Sequence, residues 1–200
     1  MSILNLFKKK YPGKFILILG PSGSGKGTII DFLKSKNLNI KYPPSYTTRA
    51  KRPGEIEGDV YHYITKEQFR TKIKNREFLE WAIVHNNNYY GTDKQTIIKE
   101  LENGNTVLRE VDIQGVKSIY KIFHKSNIVT IFITTDSWEK LESRIKKRAN
   151  ISEEELANRK SSYYKEIKFM KDATHTIFSE DGKIDEANRE ALSIIKKYID

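Results

Sequence analysis

Five consecutive apolar residues, Phe15-Ile16-Leu17-Ile18-Leu19, run directly into Gly20-Pro21-Ser22-Gly23-Ser24-Gly25-Lys26, and a helical pattern opens behind them at Thr28-Ile29-Ile30. An unbroken apolar run of this length is the pattern of a strand covered on both faces, so the chain passes from sheet through glycine-rich turn into helix. The Gly-x-x-x-x-Gly-Lys spacing in that context describes a phosphate-binding loop. Glycines let the backbone wrap closely around phosphate oxygens, so that successive N–H groups and the positive helix end face the anion. Lys26 adds a mobile positive charge of the kind that neutralises β- and γ-phosphates while Mg2+ bridges them. A glycine-rich turn with an incidental lysine would not account for the strand and helix on either side. The residue after Lys26 is Gly27, where this motif commonly places the Ser or Thr that binds Mg2+, so the nearest hydroxyl is displaced to Thr28. Mg2+ is then expected to be held mainly by phosphates and water, with no direct protein ligand and with Thr28 reaching it through water.

Further strands are expected at Thr106-Val107-Leu108 toward Val111, at Ile128 to Thr134 and at Thr176-Ile177-Phe178, with helical patterns between them. Three helix starts carry an oxygen-bearing cap followed three positions later by Glu or Gln: Thr92 with Gln95, Asp136 with Glu139, and Ser152 with Glu155. Strands alternating with helices predict an α/β core with a parallel sheet, because parallel neighbours need crossover connections. The stretch from Ser45 to Thr92 breaks that rhythm with Pro, Gly, Tyr and Asn and with one helix after Thr65, and reads as an insertion over the site. Asn86-Asn87-Asn88 has the composition of a loop tip.

At 200 residues and 38% hydrophobic, the chain suits a single domain with one core. Its formal charge of +10 favours polyanionic partners, whether nucleic acid, an acidic membrane surface or small phosphorylated molecules. No stretch approaches the ~20 apolar residues of a spanning helix, and the start offers only Ile3 to Phe7 as an apolar patch, so a soluble, cytoplasmic chain without a secretion signal is expected. Without cysteine there is neither a disulfide framework nor a thiolate metal site. His62, His85, His124 and His175 form no metal-binding spacing.

Beyond the loop, the sequence resembles the nucleoside-monophosphate kinases, whose adenylate and bacterial guanylate members share the Gly25-Lys26-Gly27-Thr28 ending. Ser45-Tyr46-Thr47-Thr48-Arg49, Arg52-Pro53-Gly54-Glu55 and Gly58 to Tyr61 are similar to the guanylate kinase signature. Phe78-Leu79-Glu80-Trp81, Asn88-Tyr89-Tyr90-Gly91-Thr92 and Val111-Asp112-Ile113-Gln114-Gly115-Val116 continue it, so the resemblance runs from about Lys14 to the C-terminal helix. It implies a P-loop NTPase core, doubly wound around a parallel sheet, over about 12–44, 93–143 and 161–200, with a GMP-binding insertion at about 45–92 and a small helical lid at about 144–160.

The resemblance also implies roles. Pro21, Ser22, Gly23, Ser24, Gly25, Lys26, Gly27 and Thr28, with Arg144 and Arg148, would bind ATP. Arg49, Arg52, Tyr61 and Tyr90 would hold the GMP phosphate, which suits two fork-shaped guanidiniums and two phenols. Glu80 would read the guanine base: a carboxylate only accepts hydrogen bonds, and guanine offers its N1–H and exocyclic amine as donors, whereas adenine presents an acceptor at that ring position. Ser45 and Thr92 would complete the base pocket, Thr92 standing where Ser is frequent. Glu110 and Asp112, at the end of an expected strand and on one face by their alternate numbering, would contact GMP or orient Mg2+ through water. Many relatives have Asp at the first of these, and Arg109 before it occupies a position that is more usually apolar. Lys26, Arg49, Arg144 and Arg159 would carry the transfer itself, with Arg144, Arg148 and Arg159 arriving from the lid. Ser179-Glu180-Asp181 stands where relatives often have an Asn-Asp pair on the ATP adenosine.

Each residue also has a plainer reading: surface charge for Arg49 and Arg52, packing for Tyr61 and Tyr90, a strand-edge carboxylate for Glu80, a helix cap for Thr92, an ion pair with Lys26 for Glu110. Their joint occurrence in one spacing favours the functional reading. The expected reaction is direct in-line transfer of the γ-phosphate of ATP to GMP, giving ADP and GDP, with Mg2+, without a covalent intermediate or a general base, and with dGMP as a further candidate acceptor. Neither nucleic acid nor membrane is an expected partner, and the choice between monomer and homo-oligomer is not legible. The rival readings are a non-catalytic binding module of guanylate kinase type, a P-loop kinase for another phosphorylated acceptor, and a nucleic-acid binder. Lys26 argues against the first and the missing RNA-binding aromatic motif against the last.

Overall fold

The computed structural model describes residues 8–84, 87–148 and 151–199, without the side chains of Val84 and Arg148. The patch from Ile3 to Phe7, His85 and the start of the expected loop tip at Asn86 lie outside the described residues. Strand β1 spans Phe15–Leu19, β2 Ile40–Lys41, β7 Thr106–Glu110, β8 Ile128–Thr134 and β9 His175–Phe178, and they form a five-stranded sheet in the order β2-β7-β1-β8-β9. The neighbours β8 and β9 run parallel, with Ile131 opposite His175 and Thr134 opposite Phe178. Every residue of β1 and of β8 is buried, which is why both read as apolar runs without alternation. The α/β core and its largely parallel sheet follow the sequence expectation.

The chain divides into two compact units, one of Met1–Phe15, Lys41–Arg109 and Gln114–Ile128, the other of Ile16–Ile40, Glu110–Ile113 and Val129–Asp200. The first contains a four-stranded sheet in the order β4-β3-β6-β5, built from β3 Ser45–Thr47, β4 Tyr61–Tyr63, β5 Phe78–Val84 and β6 Asn88–Asp93. Strand β3 pairs parallel to β4 and antiparallel to β6, while β5 and β6 form an antiparallel hairpin with Glu80 opposite Thr92. Helix α2, Lys66–Lys74, starts at a reciprocal capping box: Thr65 accepts from the Gln68 N–H and the Gln68 side chain accepts from the Thr65 N–H. It covers this sheet with Phe69, which is fully buried against Phe78 and Tyr89.

In the second unit, α1 (Lys26–Ser35) follows the loop and packs on α7 (Ile184–Ile195). Helices α5 (Trp138–Arg148) and α6 (Glu153–Glu166) close on a cluster of Trp138, Leu141, Ile145, Leu156 and Tyr163. Ser152 caps α6 as expected, accepting from the Glu155 N–H at 3.2 Å. Two other expected caps are corrected. Thr92 lies within β6, and α3 (Lys94–Glu102) is capped by Asp93, which accepts from the Thr96 N–H at 2.8 Å. Asp136 stands a residue too early for α5 and instead pairs with Lys140 at 2.7 Å. The competing carboxylate one residue along, and the ion pair one turn on, were better partners than the local spacing suggested.

Gly91 allows α2 to sit this close, since a Cβ there would lie 2.9 Å from the Phe69 ring and 3.0 Å from the Phe78 ring. Those rings already stack at 4.4 Å. Gly91→Ala is therefore expected to destabilise this unit by about 1–3 kcal/mol, as overpacking of a closed core does. Urea unfolding followed by aromatic fluorescence measures it, and an unchanged midpoint would contradict the packing described.

Candidate functional site

The loop is defined at both ends by backbone that excludes side chains. At Gly20 φ is 136° and a Cβ would stand 2.0 Å from the Ile133 carbonyl oxygen, while Gly25, at φ 95°, is the left-handed N-cap of α1. The first turn of α1 contains no acidic residue, so the positive end of its dipole is uncompensated and available to an anion. Ser24 is fully buried, and its hydroxyl has no partner among the described residues. Lys26 Nζ donates to the carbonyls of Gly20 at 2.7 Å and Pro21 at 3.1 Å, and lies 3.6 Å from Glu110 Oε1. Gly27 and Thr28 are exposed, and a Cβ at Gly27 would meet nothing within 4 Å. The glycine there answers no steric demand.

Around the loop is a cleft of about 750 Å³ lined by Ser22, Gly23 and Gly25 to Thr28, with Asp31, Glu110, Arg144, Ser179 to Gly182 and Ile184. Arg144 donates from Nε to Asp181 Oδ1 at 2.8 Å and from Nη2 to the Ser179 carbonyl at 2.6 Å, and its charge holds the Asp181 carboxyl below its usual value. Arg159 donates from Nη1 to Ser22 Oγ at 3.0 Å and grips Glu155 at 2.5 Å. The packing of α5 on α6 thus brings both expected arginines to the loop. Arg148 ends α5, with its side chain outside the described residues.

Asp112 is exposed and follows β7 rather than belonging to it, because the strand ends at Glu110. Beyond that end, the Val111 N–H still donates to the Ile18 carbonyl at 3.0 Å. Glu110 lies beside Lys26. Sequence reasoning also passed over Glu166, half-buried at the end of α6, whose carboxyl is raised by burial, opposed by the Lys26 charge and reinforced by that of Asp112. Its spacing of two helical turns from Arg159 was the available signal. Asp31, Gly182 and Ile184 had none, whereas Ser179, Glu180 and Asp181 line the cleft at the segment set against the relatives' Asn-Asp pair.

The other unit assembles the residues expected at the acceptor. Arg49 forks onto Glu55, Nη1 to Oε2 at 3.0 Å and Nη2 to Oε1 at 2.7 Å, and its guanidinium lies 5.4 Å from the Tyr61 ring centre. Tyr61 and Tyr90 meet edge to face at 5.7 Å. Arg52 contributes its backbone N–H to Glu55 at 2.7 Å and leaves its side chain exposed. Tyr63, which was not anticipated, donates to Glu55 Oε2 at 2.8 Å; its alternation with Tyr61 along β4 was the clue. Opposite each other on β5 and β6, Thr92 Oγ1 donates to Glu80 Oε1 at 2.5 Å. With its hydroxyl turned to Glu80, Thr92 belongs to this cluster and not to a helix cap. Ser45 is buried on β3, and its hydroxyl accepts from Arg109, which also donates to the Pro43 carbonyl and, at 3.2 Å, to Thr92 Oγ1. Chemically, one unit offers an anion cradle with three cations, the other a cationic aromatic cluster beside a carboxylate and two hydroxyls.

The family model described as guanylate kinase matches residues 12–198. The chain is 41% identical to a guanylate kinase of Caldanaerobacter subterraneus over 93% of its own length and 88% of that protein. It is 43% identical to one from Clostridioides difficile over 89% and 84%. A crystal structure of guanylate kinase from Anaplasma phagocytophilum superimposes with a TM-score of 0.68 over 94% of this chain and 87% of that one, at 24% identity, a likeness of fold.

Glu55 is lowered to about 2, first by the Arg49 guanidinium and then by the Arg52 N–H. Against an unfolded value of about 4.3, its contribution to stability is fully present above that value and is lost as pH falls toward 2. Stability measured by urea midpoint from pH 6 to pH 2.5 is expected to fall less steeply below pH 4.5 in Glu55→Gln than in the parent. Parallel acid limbs would contradict the Arg49–Glu55 pairing.

Proposed function

The chain belongs to the guanylate kinase family and transfers a phosphate from ATP to GMP; we propose that it does so with the two clusters described above, the phosphate loop taking ATP and Ser45 to Thr92 taking GMP. In this reading Pro21 to Thr28 cradle the ATP phosphates, and Lys26 moves from the Gly20 and Pro21 carbonyls to the β- and γ-oxygens. Arg144 and Arg159 neutralise charge on the transferring group, which passes in line from ADP to a phosphate oxygen of GMP. The bond from the γ-phosphorus to its bridging oxygen breaks as the new one forms. No general base is needed, because the attacking phosphate is already ionised. The stretch 45–92 serves as the acceptor insertion and 144–160 as the lid.

For the acceptor, Arg49, Arg52, Tyr61 and Tyr90 hold the GMP phosphate, and Ser45, Glu80 and Thr92 read the base. What supports this is the hydrogen bond from Thr92 to Glu80, which leaves the carboxylate anchored as an acceptor. Guanine gives it N1–H and the exocyclic amine; adenine would leave it facing an acceptor, a penalty of about 1–3 kcal/mol.

Guanylate kinases use ATP with a divalent metal, and the residues here fit Mg2+ held chiefly by phosphate and water. The cleft offers the hard oxygens of Thr28 and Glu110, with Asp112 following β7, and among the described residues no cluster of three or more His, Asp or Glu could hold a metal outright. When bound, the ion supplies charge neutralisation across the β- and γ-phosphates.

ADP release in the presence of GMP, AMP, CMP or UMP tests the acceptor assignment: GMP is expected to be preferred by at least about tenfold over AMP, with Glu80→Gln erasing most of that margin. Equal rates with AMP in the parent would sink it. Lys26→Ala is expected to lower kcat by about a hundredfold or more, the scale for removing a preorganised charge from phosphoryl transfer.

A further inference from the structure

We propose that Arg109 is a positioning residue for base selection: its guanidinium fixes the direction of the Ser45 and Thr92 hydroxyls, so that the pocket accepts a 6-oxopurine and rejects a 6-aminopurine. The proposal rests on the assignment of Ser45, Glu80 and Thr92 to the acceptor base.

Arg109 sits half-buried near the end of β7, after three fully buried residues. A guanidinium in such a place needs acceptors for its donors, and it finds the Pro43 carbonyl, Ser45 Oγ and Thr92 Oγ1. Two of these are hydroxyls, and that is the consequential point. A hydroxyl can donate or accept, and its hydrogen rotates to suit its surroundings. Arginine has no acceptor, so a hydroxyl facing it must accept there and direct its own hydrogen elsewhere.

For Thr92 the destination is known, since its hydroxyl donates to Glu80 Oε1 at 2.5 Å. The chain of donation runs from Arg109 through Thr92 to Glu80 and has only one possible sense, because a guanidinium cannot accept at one end and a carboxylate cannot donate at the other. Ser45, relieved of the need to donate to Arg109, keeps its hydrogen for a ligand. The pocket therefore presents a base with a hydroxyl donor at Ser45 and a carboxylate acceptor at Glu80. Guanine complements this with its O6 acceptor and N1–H donor; adenine offers an amine where a donor already stands and a lone pair where an acceptor stands. If either hydroxyl were free to turn, part of that discrimination would vanish. An amide in place of the guanidinium carries both a donor and an acceptor, and would remove the directional constraint while keeping hydrogen bonds.

The test compares Arg109→Gln with Arg109→Lys. In each, kcat/KM is measured for GMP and for AMP, together with KM for ATP and the thermal midpoint. Arg109→Gln is expected to reduce the GMP-to-AMP ratio about tenfold, chiefly through a raised KM for GMP, with KM for ATP within twofold of the parent. Arg109→Lys, which also only donates, is expected to keep the ratio within about threefold even if the midpoint drops as far. A ratio unchanged in Arg109→Gln, or lowered equally in both variants alongside their midpoints, overturns the proposal in favour of a packing role. Should Arg109→Gln not fold, Arg109→Lys and Arg109→Met carry the same comparison. Glu80→Gln separates the two levels: an unchanged ratio there removes the base-pocket assignment itself, whereas a collapsed ratio there with an intact one in Arg109→Gln removes only the role of Arg109.

Discussion

The backbone at Gly20 comes so close to β8 that a Cβ would stand 2.0 Å from the Ile133 carbonyl oxygen, and the geometry of the glycine-rich loop is referenced to that contact. Both strands involved are buried along their whole length, so the loop leaves a platform that cannot shift without opening the core. From the far side the chain returns to the loop after β9, where the Ser179 N–H donates to the Thr134 carbonyl at 2.8 Å. A phosphate-binding loop must keep its N–H groups for the ligand, which leaves its carbonyls in need of partners. Here Lys26 takes those of Gly20 and Pro21, and Arg144 reaches 3.5 Å from that of Gly23. The cations assigned to phosphate are thus the same ones that hold the shape of the loop.

Four of the cations assigned to phosphate also have a carboxylate neighbour: Lys26 with Glu110, Arg49 with Glu55, Arg144 with Asp181, Arg159 with Glu155. Such partly exposed pairs contribute about 0–1 kcal/mol to stability, too little to explain the pattern. Their effect on binding is larger. Immobilising a long side chain costs about 0.5–1.5 kcal/mol when a ligand has to do it, and a carboxylate that has already extended the guanidinium removes part of that cost. A phosphate, with more charge and three oxygens, then competes with one carboxylate for an oriented fork.

Strands β1 and β8 were legible because burial along their whole length leaves a largely apolar run between turns, while β7 and β9 were read from the shorter apolar stretches Val107-Leu108 and Ile177-Phe178. The strands from Ser45 to Asp93 were not, being three to seven residues long and, apart from β5, carrying Ser, Thr, Asn and Tyr. Strands β3, β4 and β6 have the composition of loops and become a sheet through tertiary pairing, whereas β5, Phe78–Val84, is itself apolar. Local cap chemistry was readable at Ser152, and misled at Thr92 and Asp136, where Asp93 and Lys140 were the competitors. The site residues were legible as a set through their spacing. Arg109 was visible only as a charge in an apolar position, because the hydroxyls that explain it lie 64 and 17 residues away.

In the proposed assignment, the two kinds of work fall on different side chains for a physical reason. Charge neutralisation depends on distance through a slowly varying Coulomb term, so Lys26, Arg144 and Arg159 can act from long, flexible stems on α1, α5 and α6. Base discrimination depends on whether a given atom donates or accepts, and a misdirected hydrogen reverses its sign. That demands short side chains on paired strands: Ser45 on β3, Glu80 on β5 and Thr92 on β6, the last two locked opposite each other by the β5–β6 register. Even so, a hydroxyl retains one rotation that no backbone can freeze. A neighbour that only donates is the simplest device that removes it, and among charged side chains arginine has the reach to face two hydroxyls and a carbonyl at once. In the proposed role, Arg109 on β7 would turn a sheet that sets distances into a pocket that sets hydrogen-bond direction.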